Sequence, residues 1–265
     1  MLSKFIPVSC LALWLFGCQS TQQESTEMKS LIVAHRGASF EAPENTVASA
    51  QLAWQQNADA VEVDIHTSKD QRIMVIHDKN TKRTCGADML VKETLADSLR
   101  ALEAGSWKDV KYEGEPLPFL EEVIETIPAG KKLYVEIKCE KTVVPLLKEM
   151  LAQHPKKEQI LFIAFDYETI VATKEAFPEN KAYWLSSKLP EDYKSLFEKV
   201  KKDKLDGVDL SHKVIDAEVV KTAGELGLEV HTWTVNDLER ANELQTIGVK
   251  SITTDKPGEI LGGLQ

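Results

Sequence analysis

Residues 60–78 read AVEVDIHTSKDQRIMVIHD. In the first half, Val61, Val63 and Ile65 alternate with Glu62 and Asp64, so an extended chain carries an apolar row on one face and two carboxylates on the other. At a sheet edge the acids would meet water. In a central barrel strand they must point inward, where unpaired carboxylates are costly. The second half, RIMVIH at 72–77, follows after a link too short for a crossover helix. It is expected to double back as an antiparallel hairpin centred near Lys69-Asp70, returning His77 to about the level of Glu62 and Asp64.

Outward from this stretch, short β-rich runs alternate with helical patterns. Strands are expected at 31–35, 60–65, 132–138, 159–165, 181–185, 206–210, 228–235 and 250–254. Helices are expected at 45–57, 118–127, 143–153, 167–176, 190–203, 215–226 and 237–247. The last begins after the capping pair Asn236-Asp237 and stops before Gly248. Such alternation is the arithmetic of a (β/α)8 TIM barrel, an α/β fold in which ~250 residues form one unit. A doubly wound open sheet is the alternative, but no glycine-rich fingerprint follows the first strand. The departures are the hairpin after the second strand and an aperiodic insertion at about 78–117. A segment of that kind inside a compact domain is more often functional than idle.

The chain has 265 residues, 43% hydrophobic and 28% charged, which suits a globular protein. A formal charge of −10 leaves no basic stripe to neutralise a nucleic-acid backbone. An anionic ligand would have to be held by a few local cations. Residues 5–16 are an apolar stretch behind Lys4, too short to span a bilayer comfortably and suited to a signal-peptide core. It ends Leu15-Phe16-Gly17-Cys18, which resembles a bacterial lipobox. The expected organisation is a lipoprotein-type signal peptide at 1–17, a lipidated Cys18, a polar tether at 18–30 and one domain at 31–265. This predicts export to the bacterial cell envelope and membrane attachment through a lipid, in the periplasm or at the outer surface. A plain secretory signal is the alternative. Cys85 and Cys139 are too few for a disulfide framework.

Side chains at the carboxyl ends of barrel strands converge on one site. The first strand ends in His35-Arg36, the second carries Glu62 and Asp64, the hairpin returns His77, and the third barrel strand carries Glu136 and Lys138 on one face. The oxygen-rich trio Glu62, Asp64 and Glu136 suits one hard divalent cation, Mg²⁺ or Ca²⁺. Zinc fits less well, because no His pair or thiolate is spaced to join the carboxylates. Each group alone has an inert reading as an ion pair or a solvated edge. An inert account of all of them needs three strands to misplace charge independently.

The ordered set His35-Arg36-Gly37, Pro43-Glu44-Asn45-Thr46, Glu62-x-Asp64, Thr67-x-Lys69-Asp70, His77-Asp78, Glu136-x-Lys138 and Trp233-Thr234-Val235-Asn236 resembles the glycerophosphodiester phosphodiesterase family. The match runs from about residue 31 to 258 and ends in a similar Thr253-Thr254-Asp255-Lys256-Pro257. The resemblance implies a (β/α)8 barrel, one divalent metal on Glu62, Asp64 and Glu136, and a catalytic pair, His35 and His77. The implied reaction is hydrolysis of glycerophosphodiesters, the deacylated phospholipids, to glycerol 3-phosphate and an alcohol. Arg36 and Lys138 would neutralise phosphoryl oxygens. One imidazole would serve as base and the other as acid, in either assignment, with water or the glycerol hydroxyl attacking. Trp233 would wall the glycerol carbons or pack the core. Asn45 is typed to cap the helix after it, with its N-terminus toward the anion, and so to support the site. Ala164-Phe165 departs from the serine that many relatives carry before the phenylalanine. His66, His154, His212 and His231 are expected to be core or solvated. The competing functions are phospholipase-like cleavage of a (lyso)phospholipid, which needs an apolar rim in 78–117, a metal-dependent sugar isomerase, and a lipoprotein that binds phosphodiesters without cleaving them. Oligomeric state and head-group preference carry no sequence signal.

Overall fold

Parallel pairing runs from β1 (Leu31–His35) to β2 (Ala60–Thr67), then through β4 (Lys132–Ile137), β5 (Ile160–Ala164), β6 (Ala182–Ser186), β7 (Gly207–Ser211), β8 (Glu229–Trp233) and β9 (Ser251–Thr254), and returns from β9 to β1. Eight parallel strands thus close into the expected barrel. The computed structural model describes residues 1–2 and 29–264; the expected signal peptide, Cys18 and most of the tether lie outside the described residues. No helix among the described residues is long and apolar enough to cross a membrane.

The hairpin strand β3 (Ile73–Val75) runs antiparallel to β2, with Ile65 opposite Val75 and Thr67 opposite Ile73. Its place on the sheet has a simple cause. β1 pairs with β2 only at residues 60–62 and then ends, leaving the edge of β2 unpaired farther along. β3 takes up that free edge, and Ile76 N–H continues the ladder to the Asp64 carbonyl at 3.0 Å. His77 is thereby carried back beside the acidic strand.

On the outer side the barrel is wrapped by α1 (Val47–Gln55), α4 (Leu120–Glu125), α5 (Val143–Leu151), α6 (Tyr167–Ala176), α7 (Tyr193–Lys202), α8 (Ala217–Glu225) and α9 (Leu238–Thr246); the short α2 (Lys82–Cys85) and α3 (Ala96–Arg100) lie in the insertion, and a closing helix, α10 (Pro257–Gly263), was not among those expected. The outward row of β2, Val61, Val63 and Ile65, is fully buried beneath the helices, so the period-two pattern reads as outside-apolar and inside-acidic. A second, smaller apolar set, including Val33, Tyr134, Leu161 and Tyr183, fills the barrel interior.

Aperiodic as sequence, the insertion is nonetheless packed. Val91, Ala96, Leu99 and Leu117 close over Met74 and Ile76 of the hairpin as a core of their own. It is also laced to the loop between β1 and α1 and to the first turn of α1. Lys108 Nζ donates to the Ser39 carbonyl at 2.7 Å, Tyr112 Oη to the Glu41 carbonyl at 3.2 Å, and Ala48 N–H to Glu115 Oε1 at 3.0 Å.

Candidate active site

At the end of β1 the chain turns sharply. Arg36 and Gly37 both have positive φ, 55° and 79°. At Gly37 the turn packs against Ser49 so closely that a Cβ would overlap it, which admits only glycine. The turn aims the Arg36 amide at Glu62, with N–H to Oε2 at 2.9 Å. It also folds the guanidinium back over the acids: Nη1 donates to Glu44 Oε1 at 2.8 Å, and Nε lies 3.2 Å from Asp64 Oδ2.

Asn45 takes a different place from the expected one. The N-cap of α1 is Thr46, in extended conformation, whose hydroxyl accepts from Ser49 N–H at 3.1 Å. Asn45 sits in the left-handed region at φ 59°, which its short amide tolerates. Its side chain crosses to β2, where Nδ2 donates to Asp64 Oδ2 at 2.8 Å and Oδ1 accepts the Asp64 N–H at 3.0 Å. The residue clamps an acid; its neighbour caps the helix.

The barrel register sets His35 level with Glu62 and Asp64 level with Glu136. Oxygens of Glu62, Asp64 and Glu136, all buried, lie within 4.8 Å of one another. Glu62 Oε1 and Asp64 Oδ1 are buried without a hydrogen-bond partner. Burial, then the charges of Asp64 and Glu136, drive Glu62 well above the usual carboxylate range. Burial and Asp64 push Glu136 up to about 7, against the pull of Lys138, whose Nζ donates to Glu136 Oε1 at 2.7 Å. Burial would raise Asp64 too, but Arg36 and Lys138 outweigh it and hold that carboxyl low. One permanent anion thus sits between two acids that resist ionising together.

Both histidines border the same cavity of about 210 Å³, together with Arg36, Glu62, Glu136 and Lys138. Each is held through Nδ1 by a carboxylate: His35 by Asp255 Oδ1 at 2.6 Å, His77 by Asp78 Oδ1 at 2.7 Å. A carboxylate only accepts, so Nδ1 carries the hydrogen and Nε2 is left to exchange a proton. The far wall is apolar. Trp233, at the end of β8, meets Phe165 edge-to-face at 5.4 Å, and its Nε1 donates to the Asp209 carbonyl at 3.2 Å. Thus His35, Arg36, Glu62, His77, Glu136, Lys138 and Trp233 all reach the cavity, with Asp64 buried in the acidic cluster beside it.

Sequence reasoning assigned no role to five charged groups here. Asp209 lies between Val208 and Leu210 on β7, is buried, borders the cavity and has Oδ1 without a hydrogen-bond partner. It repeats the apolar–acid alternation of 61–65, a signal that was present. Asp78 holds the histidine it follows, whereas Glu44 and Asp255, each inside a motif, hold the more distant Arg36 and His35. Arg83, on α2, gave no signal, because it lies within the aperiodic stretch. It donates to both oxygens of Glu44 at 2.7 and 2.8 Å and to Asp78 Oδ2 at 2.8 Å. His66 faces away and bonds the His77 carbonyl through Nε2 at 3.2 Å, while His231 lies in the barrel core, 2.6 Å from Ser251 Oγ.

Comparison with known proteins agrees with this geometry. Residues 35–259 match the model of the glycerophosphoryl diester phosphodiesterase family. A glycerophosphodiester phosphodiesterase of Caldanaerobacter subterraneus is 30% identical over 244 residues, covering 88% of this chain and 97% of that protein. One of Bacillus subtilis is 30% identical over 247 residues, covering 86% and 84%. Among solved structures, an Oleispira antarctica phosphodiesterase in complex with the product sn-glycerol-3-phosphate superposes with a TM-score of 0.83 at 33% identity, covering 89% of this chain and 96% of that one. With its barrel, its hairpin and its ordered motif residues gathered at one strand end, the chain belongs to the glycerophosphoryl diester phosphodiesterase family.

Proposed function

We propose that the protein hydrolyses glycerophosphodiesters to glycerol 3-phosphate and an alcohol, with His35 and His77 as the proton-transfer pair and Glu62, Asp64 and Glu136 as ligands of one divalent cation. The observation that carries this reading is the pairing of two carboxylate-held imidazoles with a buried three-acid cluster at one cavity. Buried carboxylates with oxygens within 4.8 Å of one another, two with an oxygen left without a hydrogen bond, fit a hard oxygen-seeking cation such as Mg²⁺ or Ca²⁺. When bound, that cation would supply positive charge to a phosphoryl oxygen.

The remaining work belongs to the chain. Asp255 stays anionic because its bonds to His35, Asn236 and Ser39 overcome the cost of burial and bring it to about 2. Asp78 also falls to about 2, chiefly through Arg83. Each therefore orients its imidazole and stabilises it when protonated, which is what lets Nε2 alternate between taking and giving a proton. Arg36 is rigid, since Glu44 and Asp64 hold its guanidinium in place. With Lys138 it presents fixed positive charge to a phosphodiester. The apolar wall of Trp233 and Phe165 suits the glycerol carbons. A leader ending in Cys18 supports placing this activity at the cell envelope on a lipid anchor.

Release of glycerol 3-phosphate from glycerophosphodiesters should stop with EDTA and return with Mg²⁺ or Ca²⁺. His35→Ala and His77→Ala should each lower kcat by ~10²–10⁴-fold. Release that survives both substitutions in folded protein would refute the assignment.

Arg83 ties the insertion to both halves of the site, holding Asp78 behind His77 and Glu44 behind Arg36. Arg83→Ala is expected to lower kcat/KM about tenfold or more, and Arg83→Lys to recover only part, because a point charge does not bridge two carboxylates as a planar fork does. Unchanged kinetics in Arg83→Ala would show that the bridge is idle.

In metal-free protein, the raised acids give stability a pH dependence. Glu136 titrates at about 7 in the fold against an ordinary value of 4.5, so the folded chain binds more protons across that window. This contribution is complete below about pH 4.5 and lost as pH rises through about 7. The Tm of EDTA-treated protein should fall over that range, and the gain in Tm on adding Mg²⁺ or Ca²⁺ should be largest above it. Asp78 and Asp255, lowered to about 2, act oppositely and only at acid pH. A Tm flat through the window would contradict the clustered-acid account.

A further inference from the structure

A second cavity, of about 340 Å³, opens on the other side of His35 and Arg36. These two residues border both spaces, so the cavities meet at the place proposed for the phosphate. A phosphodiester has two ester arms, and a site with one chamber for each would hold both. The second chamber is built where the insertion is laced to the β1–α1 loop, and its further walls are Ser39, Phe40, Trp107 and Lys108.

Its charges decide what it accepts. Two carboxylates border it, and both are spent. Glu44 gives Oε1 to Arg36 and Arg83 and Oε2 to Arg83 again. Asp255 gives Oδ1 to His35 and Ser39 and Oδ2 to Asn236. The aromatic rings, which would otherwise attract a quaternary ammonium, already have lysine ammonium groups nearby: Lys256 Nζ lies 4.7 Å from the Phe40 centroid and Lys108 Nζ 5.8 Å from that of Trp107. A cationic head group entering here would find lysines and no available carboxylate. Hydroxyl groups would find Lys108, whose ammonium has three donors with one placed on the Ser39 carbonyl, and flat apolar faces against which the C–H groups of a polyol can rest.

We propose that this chamber is the leaving-alcohol subsite and that it selects polyhydroxylated arms, of the glycerol or inositol kind, over choline-like ones, with Lys108 and Trp107 as the specificity residues. The inference rests on the hydrolysis proposed above. It gives the insertion a role besides that of Arg83: Lys108 and Trp107 come from it, whereas the acids, the histidines, Arg36 and Lys138 come from the barrel strands, the hairpin and the residues just after them.

The test compares kcat/KM for glycerophosphoinositol, bis(glycero)phosphate and glycerophosphocholine in wild-type protein, Lys108→Glu and Trp107→Ala, with circular dichroism as the check of folding. Wild type should favour the two polyol diesters by about tenfold, the worth of roughly one well-made hydrogen bond. Lys108→Glu should shift the preference toward the choline diester, and Trp107→Ala should raise KM for the polyol diesters. Preference of the wild type for glycerophosphocholine, or a ratio untouched by Lys108→Glu, would overturn the subsite while leaving the hydrolytic activity standing. Turnover of none of the three would overturn the hydrolytic reading itself, and the subsite with it.

Discussion

Asp64 is the point on which the site depends. It is fully buried, and yet Arg36 and Lys138 keep it ionised between Glu62 and Glu136, while Asn45 bonds both its carboxylate and its backbone N–H. A buried charge is tolerable only when partners of this kind surround it, and removing one partner from such an arrangement typically costs 3–5 kcal/mol. Those partners come from three places in the chain: the turn after β1, the residue before the α1 cap, and the end of β4. Holding one carboxylate therefore fixes the relative positions of much of the cavity lining.

The same logic extends outward in ion pairs. Asp64 faces Arg36, Arg36 faces Glu44, Glu44 faces Arg83, and Arg83 faces Asp78, which holds His77. Exposed links in such a chain contribute little to stability. Their value lies in geometry, since side chains locked by their neighbours present a substrate with charge already in place. His35 is anchored separately, through Asp255 and the carboxyl end of β9. The two imidazoles are thus positioned by independent supports and meet only across the cavity.

How much of this was legible in the sequence depended on whether a residue obeyed a period. Glu62 and Asp64 did, because an acid row against Val61, Val63 and Ile65 has only one sensible orientation in a barrel. The hairpin was legible from the shortness of its link, and His77 with it. Asparagine suits both a cap and a left-handed turn, and only the tertiary fold shows that Asn45 supports Asp64 while Thr46 caps α1. Asp209 displayed the right alternation on a strand of its own, but without a second charged residue to mark it. Arg83 and Lys108 belong to an insertion without helical or strand periodicity. Arg83 reaches Glu44 and Lys108 reaches Ser39, 39 and 69 positions away, contacts that no local pattern encodes.

The claim that organises the account is that three buried acids, with oxygens within 4.8 Å of one another, are built to share one cation. Calorimetric titration of EDTA-stripped protein with Mg²⁺ or Ca²⁺ measures this directly. The account predicts binding of one ion per chain, abolished or greatly weakened in Asp64→Asn and in Glu136→Gln proteins that retain their fold. Absence of binding to folded wild-type protein, or equal binding in both variants, would contradict it.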